Sequence, residues 1–536
     1  MIGNNVFAAK AKEAATKTLT ENGATAYSTT DSSLVDLFSA IGALRSRTGI
    51  INPDNLARLE RLIDGACAEN PDILAKMIFY ARDVRGGLGE RQIFRDAAEY
   101  CAVNHPEIVR ANLELIPEYG RWDDLFTFIN TPLEDEMWAF VKRTIEADKE
   151  AVAAGKGTTL LPKWLPSADT SSKATRALGC YAAKKLGMRV YDYKRMVKAL
   201  RRGMIITETQ MSSNKWGEIK YPGVPSQAMA KYSNAFGRHD SDRFGAYIGD
   251  VKEGKQKINA STLYPYEIIE KLMRSYGEDE KGVCEELWKH LPNYVEGENN
   301  YLIMADTSGS MRGRPINTAI GLAIYFAERN KGPFSDMFMT FSSQPAFIGI
   351  PRNASLWEKI TTVANGPWQQ STNLEAAFRL ILETAKKANA RPEDIPKSLI
   401  IISDMEFDQC TYASNPVQPQ MVTKQLVDPL SGLRYTVQVP AYNQSYSSYK
   451  QLDDTFFQTM EKMFADAGYR MPNIVFWNVD SRHDTVHVKK DTPAVQLVSG
   501  QSPSVFRSMT QCLTMTPYEA MMRILDVPRY AAVRAA

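Results

Sequence analysis

Cysteine, histidine and long apolar runs are all scarce in this chain, and each scarcity excludes a class of protein. Six cysteines and five histidines occur among 536 residues, with no CxxC pair. Scattered cysteines indicate reduced thiols rather than a disulfide framework or a zinc site. No apolar run reaches the roughly 18 residues that a membrane-spanning helix needs. The N-terminus has no apolar signal-peptide core, so we expect a cytoplasmic protein without a membrane partner.

Signatures of catalysis and of histidine-bound metals are missing as well. The sequence contains neither a GxxxxGK[ST] phosphate loop nor a GxSxG nucleophile elbow. His483 and His487 are four residues apart, but the sequence near them offers no third ligand. A metal site at these histidines is therefore not expected.

Helical periodicity dominates the first half of the chain. Apolar residues recur three and four positions apart, as at Leu34, Leu37, Phe38 and Ile41. Successive helices of this kind, separated by short turns, are typical of stacked helix pairs. We therefore predict a HEAT-like helical domain over residues 1–295.

The pattern changes in residues 296–536, where apolar strands alternate with helices. Strands that are apolar throughout and separated by helices indicate a mostly parallel, doubly wound sheet of the Rossmann-like type. An arm over residues 409–450 interrupts this pattern, and Met421–Val427 with Leu433–Val439 predicts a β-hairpin there. The predicted sheet strands are Tyr301–Ala305, Ser335–Phe341, Ala346–Ile350, Ser398–Ile402, Ile474–Val479 and Val495–Val498.

Polar side chains follow the strands of this predicted sheet. Asp306, Ser308 and Ser310 come directly after the first strand, Asp404 follows a later one, and Thr372 lies in a loop that opens a helix. In an open parallel sheet these loops meet at the carboxyl edge, where ligands bind. One or two carboxylates with several hydroxyls suit Mg²⁺ or another hard divalent cation. We therefore predict a metal site formed by these five residues.

This motif resembles the metal-ion-dependent adhesion site of von Willebrand factor A (vWA) domains. The resemblance implies a cation whose coordination is completed by an acidic group of a protein partner. Two alternatives remain, a serine-rich turn that caps the next helix and a vWA fold whose site stays empty. A haloacid dehalogenase-type phosphatase would need a second aspartate where Ser308 stands. A metal-assisted hydrolase lacks an evident nucleophile, since Glu406 and Asp408 are the only further acids nearby.

Positive charge is concentrated in residues 171–220, which hold twelve lysines and arginines but three acidic residues. Tyr181, Tyr191, Tyr193 and Trp216 are interleaved with them. Cations for phosphates and rings for base stacking are typical of RNA-binding surfaces, although a solvated helix face has a similar composition. The candidate RNA-binding residues are Lys173, Arg176, Lys184, Lys185, Arg189, Lys194, Arg195, Lys198, Arg201 and Arg202.

A second arginine cluster lies in residues 80–91, around a glycine-rich turn. Its arginines could contact phosphate, but a structural role is favoured. In that role Arg82 and Arg91 pair with Asp83, Glu90 or Asp123.

Motifs along most of the chain resemble the Ro autoantigen (TROVE-domain) family, and more closely a set of uncharacterised Ro-like proteins from large viruses, phages, plants and fungi. The resemblance implies a ring of HEAT-like helices closed by a vWA domain, which binds RNA ends in its hole and small structured RNAs on its outer surface. It implies a non-enzymatic RNA-binding protein without DNA specificity; the alternative is a metal-dependent protein-assembly module with no RNA role. The motifs include Asp36-Leu37-Phe38, Ala81-Arg82-Asp83, Tyr119-Gly120-Arg121-Trp122-Asp123-Asp124-Leu125, Val224-Pro225-Ser226 and Leu263-Tyr264-Pro265-Tyr266, followed by Asp306-Thr307-Ser308-Gly309-Ser310-Met311.

Overall fold

The computed structural model forms two compact units. One contains residues 1–408 and 472–536, and the other contains residues 409–471. The structure describes residues 15–21, 23, 25–44, 52–204, 206–275, 277–295, 300–342, 344–366, 373–407, 421–427, 434–440 and 456–536.

The first half of the chain is helical, as predicted, apart from a short antiparallel hairpin of β1 (Lys17–Leu19) and β2 (Thr25–Tyr27). The α-helices are Ser33–Ala40 (α1), Pro53–Glu69 (α2), Pro71–Arg82 (α3), Arg91–Asn104 (α4), Pro106–Asn112 (α5), Ile116–Tyr119 (α6), Glu134–Ala153 (α7), Leu161–Trp164 (α8), Lys173–Lys185 (α9), Val190–Arg201 (α10), Thr207–Ser212 (α11), Ser226–His239 (α12), Ser241–Lys252 (α13), Pro265–Met273 (α14) and Glu278–Lys289 (α15). None of the helices in the described residues has the length and apolarity that a bilayer crossing requires.

Local sequence explains where these helices begin. The side chains of Asn52 and Asn70 accept hydrogen bonds from the amides of Asn55 and Ile73, so each caps a helix whose first residue is proline. Proline is favoured there because its fixed φ suits the helix and its missing N–H would have no partner. Asn70 also ends α2, so one residue separates the two helices.

The second half builds a six-stranded sheet in the order β10-β9-β6-β3-β4-β5. All neighbouring strands are parallel except β4 and β5, so the prediction of a mostly parallel sheet is confirmed. The strands are Tyr301–Asp306 (β3), Met337–Phe341 (β4), Phe347–Gly349 (β5), Ser398–Ser403 (β6), Asn473–Asn478 (β9) and Val495–Ser499 (β10). The helices that accompany them are Arg314–Arg329 (α16), Leu356–Ala364 (α17), Leu374–Ala388 (α18), Val505–Thr510 (α20) and Pro517–Leu525 (α21).

The smaller unit contains the predicted hairpin. Strands β7 (Met421–Val427) and β8 (Arg434–Pro440) pair antiparallel, one residue later in β8 than predicted. A helix, α19 (Phe456–Asp466), follows.

The N-terminal segment packs directly on the sheet. Tyr27 and Val486 exchange two backbone hydrogen bonds of 2.8 Å. Helix α1 contacts β10, and the amide of Gly42 donates to the Ser499 hydroxyl at 3.0 Å. A Cβ at position 42 would lie 2.7 Å from the Ser499 carbonyl, so only glycine permits this approach. The helical half and the sheet therefore share one unit.

The arginines near residue 82 have a structural role, in which Arg91 interacts electrostatically with Asp123, as predicted, but Arg82 has a partner that was not predicted. Arg82 donates to Asp124 at 2.7 Å, and Asp83 instead accepts from Arg529. Arg95 binds both Asp123 and Asp124. Sequence separation explains the difference, because the partners come from a turn some forty residues away and from the C-terminus.

Candidate metal centre

Four of the five predicted metal residues, Asp306, Ser308, Ser310 and Asp404, lie where the strand order of the sheet reverses. From β3 the chain continues to β4 on one side and later to β6 on the other. Such a reversal opens a crevice at the carboxyl edge, which is the usual ligand position in open parallel sheets. Asp306 ends β3 and Asp404 directly follows β6, so both carboxylates lie at this crevice.

The loop after β3 folds back on its own aspartate. The Ser308 amide donates to Asp306 Oδ1 at 2.8 Å, and a short turn follows over Gly309–Met311. As a result the Ser308 and Ser310 hydroxyl oxygens lie 2.9 Å apart. The loop thus brings together the three residues that the sequence placed at alternate positions.

Ser403 positions the Asp306 carboxylate, and sequence analysis did not identify it. Ala305 pairs with Ile402 in the sheet, so Asp306 and Ser403 are the next residues on neighbouring strands. The Ser403 hydroxyl donates to Asp306 Oδ2 at 2.6 Å, and both residues are fully buried. The available signal was its position beside Asp404 at the end of a predicted strand.

Asp404 is buried and has a cationic partner that no sequence signal revealed. Its Oδ2 accepts from Arg482 Nη2 at 2.7 Å, and its Oδ1 accepts weakly from the Glu406 amide at 3.3 Å. Arg482 comes from the loop after β9, 78 residues further along the chain. It neutralises part of the negative charge at this edge.

The electrostatics of the edge fit a bound cation. Burial raises the pKa of Asp306 to about 7, and the neighbouring Asp404 charge adds to the rise, although hydrogen bonds from Ser403 and Ser308 oppose it. The buried hydroxyl oxygens of Thr307 and Ser342, which follow β3 and β4, have no hydrogen-bond partner among the described residues. Buried carboxylates and unpaired hydroxyls form an all-oxygen donor set that suits a hard divalent cation.

Two residues of the sequence hypothesis cannot be placed. Thr372, the fifth predicted ligand, and Asp408, one of the two further acids, lie outside the described residues.

The predicted basic residues lie on a helical hairpin, which we call the basic hairpin (residues 173–202). Helices α9 and α10 pack together, and nine of the ten predicted cations are exposed. Lys185, Arg189 and Lys194 pair with the carboxylates of Asp135, Asp192 and Asp169. Arg201 differs, because its guanidinium donates to the carbonyls of Pro162, Lys163 and Leu165. It fastens α10 to α8 rather than facing solvent.

The aromatic residues interleaved with this charge are mostly structural. Tyr193 is buried and donates to the Pro166 carbonyl, while Tyr181 donates to Glu134. Trp216 stacks on the His239 ring at 4.3 Å. Tyr191 is 65% exposed, with Arg195 lying 5.8 Å from its ring centre. Of these four aromatic residues, Tyr191 is the most exposed and is therefore the candidate for base stacking.

A cavity of about 1190 Å³ lies between the helices of the first half and the first turn of α16, just after the metal loop. The Arg121 guanidinium lies over the Trp164 ring at its wall, 4.0 Å from the centroid. The cationic wall residues are Arg121, Lys163, Lys231, Lys271, Arg274 and Arg314, and the acidic ones are Glu208, Glu267, Glu270 and Glu280.

Comparison with known proteins gives two family matches and a viral relative. A domain of unknown function (DUF2828) matches residues 20–158 and 165–298, more than half of the chain. A second domain of unknown function (DUF7788) matches residues 300–521. The chain is also similar to uncharacterized protein L728 of Acanthamoeba polyphaga mimivirus. The two are 24% identical over 549 residues, which cover 95% of this chain and 87% of the viral protein.

Proposed function

Because the chain belongs to the family of the domain of unknown function DUF2828, we propose its function from its own surfaces. It is a non-enzymatic RNA-binding protein that also carries a metal-dependent docking site. The observation that carries the proposal is the basic hairpin, where nine of ten predicted cations are exposed on two adjacent helices.

The charge distribution of this hairpin suits a polyanion. Lys184, Arg195 and Lys198 are exposed and extend from two packed helices. Lysines and arginines on one surface neutralise successive phosphates and release the counterions condensed on the nucleic acid. Tyr191 adds an exposed ring next to these cations, as stacking on an unpaired base requires. Single-stranded or small structured RNA is therefore the expected ligand.

The metal centre supplies the docking function in this proposal. Asp306, Ser308, Ser310 and Asp404, together with Thr372, would hold Mg²⁺ or another divalent cation. An acidic group of a protein partner would complete the coordination of this cation. The short loop between Asp306 and Ser310 contains no carboxylate or histidine that could serve as a base, in keeping with docking rather than hydrolysis.

We further propose that the helices are HEAT-like repeats closed into a ring by a vWA-type domain, in a protein related to the Ro family. The Tyr264 hydroxyl donates to the Leu88 carbonyl at 3.0 Å, which brings the last part of the helical half back to its beginning. The cavity beside these residues supports a ring with a hole. An RNA end would enter that hole, while the basic hairpin binds the remainder of the molecule.

The experiment replaces three cations of the hairpin and measures RNA affinity. In the Lys184→Glu, Arg195→Glu, Lys198→Glu variant we expect affinity for a single-stranded RNA oligonucleotide, followed by fluorescence anisotropy, to fall by roughly tenfold or more. The matched control replaces Lys142, Lys252 and Lys387, which are exposed elsewhere, with glutamate. Equal affinities of the two variants would refute the assignment of RNA binding to the hairpin.

The convergence of Asp306, Ser308 and Ser310 at one edge favours a second candidate, a metal-dependent assembly protein with no RNA role. The two candidates differ in what copurifies with the protein from its natural host. An elevated ratio of absorbance at 260 nm to that at 280 nm, with RNA in the extract, supports RNA binding. A protein partner that is lost in Asp306→Ala, without RNA, supports assembly.

A further inference from the structure

Three side chains near the metal centre form a separate group of potential ligands. The group consists of a carboxylate oxygen of Glu21, a carboxylate oxygen of Glu406 and an imidazole nitrogen of His483. These three atoms lie within 4.8 Å of one another. Because these three residues are far apart in the sequence, the sequence alone did not identify Glu21 and Glu406 as partners of His483. The fold brings together the N-terminal segment, the loop after β6 and the loop after β9.

The buried member of this group is held by the N-terminal segment. Glu406 is only 2% exposed, and its carboxylate accepts from the Glu21 amide at 2.7 Å and from Thr485 at 3.4 Å. The Thr20 hydroxyl donates to the Phe407 carbonyl at 2.6 Å. These contacts fix the position of Glu21 relative to Glu406 without using the Glu21 carboxylate.

The other two members are open to solvent. The side chains of Glu21 and His483 are 53% and 51% exposed, and His483 Nε2 lies 3.7 Å from a Glu21 carboxylate oxygen. A cation could therefore enter from solvent, with the Glu406 carboxylate beneath it. His487, four residues later, is half-buried and bonds to the Met405 carbonyl, so it does not belong to this group.

Several carboxylates lie close together at this position. Those of Asp404, Glu21, Asp480 and Glu406 all act on the guanidinium of Arg482, and Glu406 also acts on Arg58. That guanidinium bonds to Asp404 and Glu21, at 2.7 and 3.0 Å. Asp404, Asp480 and Glu406 are all buried, so their charges are poorly screened by solvent. A further cation would reduce the repulsion among these carboxylates.

We propose that Glu21, Glu406 and His483 bind a second divalent cation, separate from the cation of the Asp306 loop, and that this second site prefers Zn²⁺. Imidazole nitrogen with carboxylate oxygen is a common donor set for zinc, whereas the all-oxygen Asp306 loop suits Mg²⁺. The bound cation would fasten the N-terminal segment to the two sheet-edge loops. The site does not depend on RNA binding or on docking at the Asp306 loop.

The test titrates the full-length protein with ZnCl₂ by calorimetry, with Mg²⁺ kept at saturation. We expect a zinc site whose affinity falls on the order of tenfold or more in His483→Ala and in Glu21→Gln. Zinc should also raise the thermal unfolding midpoint of the wild type but not of these variants. Both replaced side chains are half-exposed, and thermal unfolding without zinc verifies that each variant folds.

Two controls separate this site from other zinc-binding groups. His239→Ala replaces an exposed histidine elsewhere and should retain zinc affinity. Asp306→Asn should also retain it, because the Asp306 loop is a different site. Zinc affinity that stays within about twofold of wild type in both His483→Ala and Glu21→Gln would overturn the proposal, as would loss of zinc binding in Asp306→Asn.

Discussion

The orientation and the pKa of Asp306 depend on Ser403, a neighbouring residue that was not predicted to be a ligand. The Ser403 hydroxyl donates to one carboxylate oxygen and the Ser308 amide to the other, so both oxygens have defined directions. Both hydrogen bonds lower the pKa of Asp306 and oppose the larger effects of burial and of Asp404. Groups that orient and ionise a ligand in this way are as necessary to a metal site as the ligand itself.

We therefore expect Ser403→Ala to weaken Mg²⁺ binding by roughly tenfold. The Asp306 carboxylate would lose a donor that favours its ionised form and fixes its orientation. Calorimetric titration with MgCl₂ at neutral pH measures the change. Ser398→Ala is the matched control, since Ser398 is a buried serine on the same strand whose hydroxyl has no partner among the described residues. Equal effects of the two substitutions would contradict this role of Ser403.

His487 is a second residue whose environment has a measurable consequence. It stacks on Phe407 with ring centres 4.3 Å apart, and Nε2 lies 2.9 Å from the Met405 carbonyl. Burial lowers its pKa to about 4, although the bond to Met405 partly opposes this shift. The unfolded chain therefore takes up a proton near the ordinary pKa of 6.5, while the folded protein does not.

The sign of this effect predicts lower stability in acid. The contribution of His487 to the free energy of unfolding should fall as pH decreases from 6.5 towards 4, by up to about 1.4 kcal/mol per pH unit. Urea unfolding at pH 7.5 and pH 5 measures the difference, and His487→Gln should reduce it. His239→Gln, at an exposed histidine, is the matched control for the loss of an imidazole. A wild-type pH dependence that persists in His487→Gln would exclude burial of this imidazole as its cause.

At the scale of single elements, long apolar patterns were predictable and short ones were not. Strands β3 and β6 could be predicted because uninterrupted apolar runs are typical of buried strands. Each strand extends only one residue beyond the predicted Tyr301–Ala305 and Ser398–Ile402. The three-residue strands β1 and β2 were missed because neither lies in an apolar run, whereas the equally short β5 was predicted from the apolar run Ala346–Ile350. Helix α17 was also missed, although its Ser355 and Glu358 form a capping box that the sequence contains.

The same distinction applies to the candidate site. Asp306, Ser308, Ser310 and Asp404 could be predicted because they lie at or within four residues of the carboxyl ends of β3 and β6, which have a defined position in the sheet. Arg482 and Glu21 could not, because they reach Asp404 and Glu406 only after the chain has folded. Arg201 carried the same charge signal as its neighbours, yet three carbonyls of residues 162–165 hold it. Composition identifies a basic segment but not which of its cations are free.

At the scale of the whole molecule, the chain closes on itself through its C-terminus. Asp83 is fully buried in the helical half and accepts from Arg529 and from the Tyr530 hydroxyl, 446 and 447 residues further along. Burial alone would raise the pKa of Asp83, but the hydrogen bonds from Arg529 and the Arg85 amide lower it. Nearby, the Asn112 side chain bonds to the backbone of Arg534. The last residues thus pack on helices formed near the beginning.

This closure predicts that the helical half and the sheet unfold together. Arg529→Ala would leave the buried Asp83 charge without its cationic partner, and we expect a loss of about 2 kcal/mol, below the usual cost for a buried pair because Arg529 is 30% exposed. Arg534→Ala is the matched control, since its described bonds use only the backbone, and it should change stability by less than about 0.5 kcal/mol.

Urea unfolding followed by both tryptophan fluorescence and circular dichroism tests whether the two halves unfold together. Coincident curves are expected for the wild type, because contacts such as Asp83–Arg529 join the helical half to the C-terminal residues. Two separate transitions, or equal effects of the two substitutions, would show that the C-terminal contacts do not couple the halves.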